Sequence, residues 1–80
     1  MLSTQDLLQE IIEAMVDNPQ AVQVVEVSQN ESTKIFEVFT DPGDIGKVIG
    51  RQGINANALR TILKAIGGAR KERYWLEIEQ

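Results

Sequence analysis

Two glycines three residues apart, Gly50 and Gly53, stand between two segments that both carry helical periodicity. Upstream, Asp41-Pro42-Gly43-Asp44 reads as a helix start, because an Asp N-cap, a proline at the first helical position and an acid at the third suit the free amides there. Ile45, Val48 and Ile49 follow as a short apolar face. Downstream, Ile54, Ala58, Leu59, Ile62, Leu63 and Ile66 keep helical spacing for about three turns. Gly67-Gly68 is expected to end that run. Gly50 to Gly53 is therefore a tight link between two helices. Gly50 is expected to supply a positive-φ helix end, and Gly53 to let another backbone approach the start of the next helix. A helix start with free amides, a bare glycine surface and Arg51 beside it make a place for a phosphate.

Charge points to the same stretch. From Ile45 to Lys71 there is no Asp or Glu, but there are Lys47, Arg51, Arg60, Lys64, Arg70 and Lys71, a local charge of +6. Residues 1–44 hold nine acids and only Lys34, residues 72–80 add two negative charges net, and the whole chain carries −4. Local field rather than net charge steers a phosphate chain, and the long acid-free segment surrounds the glycine link.

In the run Val48-Ile49-Gly50-Arg51-Gln52-Gly53, the pattern Val-Ile-Gly-x-x-Gly resembles the signature of the KH (K-homology) RNA-binding domain. That module clamps the backbone of four nucleotides with its GxxG loop. With Asp17-Asn18-Pro19, Gly46-Lys47-Val48-Ile49-Gly50 and Ala58-Leu59-Arg60-Thr61, nearly the whole chain resembles the small bacterial single-KH proteins of the KhpA type. The resemblance implies one KH domain over residues 1–80, of the bacterial type II fold with a mixed sheet, and a role in post-transcriptional regulation or as an RNA chaperone. It also implies homodimers and heteromers with a KhpB-type KH protein. The expected RNA contacts are Lys47, Gly50, Arg51, Gln52, Gly53, Ile54, Asn57, Arg60 and Lys64. Gly50 and Gly53 leave room for the sugar-phosphate, Arg51 pairs with a phosphate through its planar fork, and Gln52 hydrogen-bonds phosphate or sugar. Arg60 and Lys64, four apart, share one side of their helix. Ile45, Val48, Ile49 and Ala58 are candidates for the apolar floor, with Phe36 or Val38 as the opposite wall. Ile54 stands where relatives often carry another base, which implies a weaker electrostatic grip.

The rest of the chain frames this unit. Ser3 to Val16 reads as a helix capped by Ser3, with Leu7, Leu8, Ile11, Ile12, Met15 and Val16 as its stripe and Gln9, Glu10, Glu13 and Asp17 facing water. Ala21 to Ser28 and Lys34 to Thr40 read as strands of an antiparallel hairpin. The apolar parity slips between Val24 and Val25, which suggests a bulge or burial on both faces. Glu72 to Glu79 alternates as a last strand with Tyr74, Leu76 and Ile78 inward. Trp75 then points the other way, and the adjacent Glu77 and Glu79 favour packing or a protein contact there over RNA. The resulting order α-β-β-α-α-β is an α+β two-layer domain, with three helices on one face of a three-stranded sheet.

Other classes fall away. The chain has no Cys and no His, so disulfides, thiolate metal sites and the commonest general base are missing. No nucleophile–base pair is visible, and catalysis, a metal, a cofactor and a small-molecule substrate are not expected. The N-terminus lacks a signal-peptide pattern and no apolar run approaches a membrane span, so a soluble cytoplasmic protein is expected. The other functional class to weigh is a KH-fold protein-interaction module that works chiefly by dimerising. The −4 charge and small core motivate it, since an 80-residue chain buries little more than about 60% of its unfolded surface.

Overall fold

The computed structural model describes residues 2–80. Ser3 caps the first helix, its Oγ accepting from the Asp6 amide at 3.1 Å. The elements are α1 (Thr4–Glu13), β1 (Gln23–Asn30), β2 (Thr33–Phe39), α2 (Ile45–Ile49), α3 (Ile54–Ala69) and β3 (Arg73–Ile78). β1 and β2 pair antiparallel, β3 lies beside β2 in parallel, and the spatial order is β1-β2-β3. The sheet is therefore mixed, and the α+β order expected from the sequence is the order observed. Val24, Phe36, Val38, Tyr74 and Leu76 on one sheet face meet Leu8, Ile12, Val48, Leu59 and Leu63 from the helices in a single core. Phe36 and Tyr74 touch edge to face at 5.2 Å between ring centroids.

Four local expectations are corrected. α1 stops at Glu13 rather than Val16, because the amides of Asp17 and Asn18 turn away to donate to the Asp44 carboxylate at 3.3 and 3.0 Å. Gln9 does not face water. Its amide donates to the Val22 carbonyl and accepts from the Val24 amide, while Gln5 donates to the Val24 carbonyl, so α1 covers the outer edge of β1. There is no bulge at Val24–Val25; pairing runs regularly from Gln23 to Ser28 and slips only at Ser28–Asn30, beside the turn. Val25 and Val27 instead lie on the sheet face that no helix covers. Gly67-Gly68 does not end the third helix, which continues to Ala69. The Glu72 amide returns to the Gly67 carbonyl and the Lys71 amide to that of Gly68, a six-to-one and five-to-two pair with Lys71 at φ 60°. Gly67 serves packing: a Cβ there would fall 2.8 Å from the Glu72 carbonyl oxygen and 3.0 Å from the Tyr74 ring.

Candidate nucleic-acid interface

The unit from Asp41 to α3 is assembled by short-range caps and one long-range anchor. The Asp41 carboxylate accepts from the Gly43 amide at 2.9 Å, which with the Asn18 side chain holds its pKa below the usual carboxylate value. Pro42 opens the turn, as expected. Asp44 behaves differently from the expectation. It is 3% exposed and serves the Asp17 and Asn18 amides rather than its own helix, so it ties α2 to the end of α1. Lys47 Nζ lies 3.2 Å from Asp17 and 3.7 Å from Asp44. The hydrogen bond and charge of Asp17 raise its pKa, and Asp44 adds to the shift.

α2 is only five residues long and closes on Gly50, at φ 78°. A Cβ on Gly50 would sit 2.6 Å from Asn55 Cγ and 2.8 Å from its backbone nitrogen, so this glycine supplies both the turn and the close approach. Gly53, at φ 79°, is needed for its conformation alone; a Cβ there would meet only Asn57 Nδ2, at 3.8 Å. That corrects the expected role of Gly53. Gln52 also adopts positive φ, 56°. Asn55 locks the link by donating from Nδ2 to the Lys47 carbonyl at 2.8 Å. Sequence reading missed Asn55, since nothing in its neighbours announces a bond eight residues back.

Around this link lie two open depressions. Arg51, Gln52, Ile54 and Asn57 line one of about 380 Å³ on the outer side of the loop. Ile49, Gly53, Ala56, Arg60, Glu77, Ile78 and Gln80 line another of about 280 Å³ between the loop and β3. Arg51 makes no ion pair among the described residues, and Ile54 is 64% exposed beside it. Arg60 crosses the second depression: its Nε and Nη2 donate to the Leu76 carbonyl at 3.2 and 3.1 Å, and its guanidinium lies 4.4 Å from the centre of the Trp75 ring. Lys64 lies one turn further on, beside Arg73 and Trp75.

The remaining expected floor and wall residues separate. Ile49 borders the cleft, and Ile45 is half-buried at the start of α2. Val48, Phe36 and Val38 are wholly inside the core, and Ala58 lies on the outer face of α3. The wall is therefore Glu77 and Ile78 of β3, not β2, because β3 is the edge strand beside the loop. Glu77 and Ile78 were legible only as strand residues.

A short helix, a GxxG link and a longer helix set against the edge strand of an α-β-β-α-α-β mixed sheet define a KH domain. The family model for the KhpA/KhpB KH domain matches residues 5–78, and this chain belongs to that family. It is 44% identical to the RNA-binding protein KhpA of Aquifex aeolicus over 78 residues, 98% of either chain. It is 45% identical to the protein of that name from Caldanaerobacter subterraneus over 73 residues, 91% of this chain and 96% of the other. With that of Streptomyces coelicolor it shares 44% identity over 64 residues, 80% of each. No solved structure matches it. Among the described residues, no helix is long and apolar enough to cross a membrane.

Proposed function

We propose that this chain binds single-stranded RNA and holds about four nucleotides across the GxxG link, as a post-transcriptional regulator or RNA chaperone. The observation that carries this reading is the backbone from Gly50 to Gly53. Three of its four residues adopt positive φ, and the two glycines put no side chain beside Arg51, which makes no ion pair among the described residues. A sugar-phosphate chain can come close to the backbone at the glycines, gripped by Arg51 and Gln52, with Asn57 in reach from the first turn of α3. Bases turn into the cleft towards Ile49, Ala56 and Ile78, where Arg60 and Glu77 offer a donor and an acceptor for base edges. Lys47 contributes less than its charge suggests, because Asp17 and Asp44 already neutralise it. Ile45 and Val48 support the groove rather than touch RNA, and Ala58 faces away from it.

The names of the similar KhpA proteins support the same reading. Changing Arg51 and Gln52 together to Asp is expected to abolish RNA crosslinking in cells with the fold unchanged. Asp tolerates the positive φ of position 52. Unchanged crosslinking would sink the proposal. Affinity is expected to fall with salt, with a log–log slope of about −0.7 per phosphate neutralised.

A second observation favours self-association alongside RNA binding. Ile54, Ala58, Ile62 and Ala65 form an exposed, uncharged face on α3, and Leu7 of α1 stands next to Ile62 across a shallow seam. A twofold copy docked there brings no like charges together, despite the −4 carried by each chain. We read this face as a homodimer contact that a KhpB-type KH protein can also occupy. Two linked grooves raise avidity for one RNA. Such a domain acts in the cytoplasm, where its RNA is.

A further inference from the structure

A further concave feature lies away from the glycine link, at the outer edge of β3. It is an open depression of about 480 Å³ lined by Thr33, Lys64, Glu72, Arg73, Tyr74 and Trp75. Along the sequence Trp75 is flanked by Glu72, Arg73, Glu77 and Glu79, and the fold adds cations from α3. Arg60 stacks over its ring at 4.4 Å, and Lys64 and Arg73 border the same hollow. The one carboxylate in the lining, Glu72, accepts from the Tyr74 hydroxyl at 2.8 Å and lies 3.9 Å from Lys34. Arg60 does not itself border the hollow, and Trp75 remains 41% exposed.

We propose that this hollow is a second nucleotide site, which seats a base of single-stranded RNA against Trp75 with its phosphate between Lys64 and Arg73. The inference rests on the RNA-binding reading above and extends its track. Lys64 lies eleven residues along α3 from Gly53, a rise of about 16 Å. The hollow is therefore reached by a strand that continues past the loop, not by the nucleotides the loop itself holds. An indole beside two cations is the chemistry that accepts any base by its π-face, so this site adds affinity and length dependence without sequence preference.

Trp75 is the sole tryptophan, which makes it its own reporter. The test uses the full chain with randomised RNAs of four and twelve nucleotides, read by anisotropy of a fluorescein label. Unlabelled RNA is then titrated while Trp75 emission is followed. The expected result is that the 12-mer quenches Trp75 and binds more tightly than the 4-mer. Trp75→Ala lowers 12-mer affinity about tenfold, while Trp75→Phe keeps most of it. Lys64→Glu, at an exposed position of α3, weakens the 12-mer in the same way and serves if Trp75→Ala does not fold. A 12-mer that binds without quenching Trp75, and binds these variants as it binds the parent chain, overturns the second site and leaves the loop reading standing. A 12-mer that gives no anisotropy change overturns both.

Discussion

Gly50 and Gly53 share a positive φ but differ in what surrounds them, and substitution separates the two. Gly53→Ala adds a methyl that meets only Asn57 Nδ2, at an ordinary 3.8 Å, so its cost is the left-handed backbone alone, about 1–2 kcal/mol. Gly50→Ala puts a Cβ on a backbone at φ 78°, ψ 171°, a region essentially reserved for glycine, and also drives that Cβ to 2.6 Å from the Asn55 side chain. That contact displaces the amide which closes the loop onto the Lys47 carbonyl. Urea denaturation is expected to show Gly50→Ala as the more destabilising by roughly 1 kcal/mol or more, the range for a lost hydrogen bond. Equal losses at the two sites would contradict this account. The pair of glycines and the positive φ of Gly50 were legible beforehand; which of the two is crowded depends on where Asn55 returns.

Among the elements, α3 ends by a motif that asks for glycine at the position Lys71 holds. Lys71→Gly is expected to raise stability by about 0.5–1 kcal/mol, measured as the denaturation midpoint at unchanged m-value. RNA affinity is expected to stay as it is, because Lys71 borders neither the loop cleft nor the β3 hollow. At the start of α2 the Asp41 cap carries a pH signature. Its pKa is lowered in the folded chain by the Gly43 amide and then by Asn18, so its stabilisation is present above the ordinary carboxylate pKa of about 4. As pH falls through the lower folded value, that stabilisation is lost. Asp41→Asn is expected to flatten the acid limb of the stability profile while leaving neutral stability close to that of the parent, since Asn also caps. The paired Lys47 works in the opposite direction. Its raised pKa gives stability that is complete below the ordinary lysine value and fades as pH rises through the folded one.

The whole molecule divides its surface by chemistry. Cations line the loop and the β3 edge, and an uncharged face runs along α3. Ile62, 46% exposed at the middle of that face, is the position to probe. Ile62→Glu is expected to shift sedimentation from dimer to monomer and to weaken binding to a long RNA through lost avidity, with the isolated fold intact. A parent chain that sediments as a monomer at high concentration would exclude the dimer directly.

The order of elements, the Ser3 and Asp41 caps and the GxxG link were readable in the sequence, because each is decided by residues within a few positions of one another. The family followed from the same short runs. What no window of sequence contains is the pairing of distant segments. β3 joins β2 in parallel at the sheet edge, and that alone makes Glu77 and Ile78 the cleft wall and sends Phe36 and Val38 into the core. Asp44 finds its amides 26 and 27 residues away, and Arg60 its carbonyl 16 residues away. Trp75 meets Arg60 and Lys64 of α3 by the same route. Caps and helical spacing are local energies written residue by residue, whereas strand order and free edges are set by the shared core that closes these long loops. The sequence determined the glycine link and the cations beside it, and the tertiary structure decided which residues face it across the cleft.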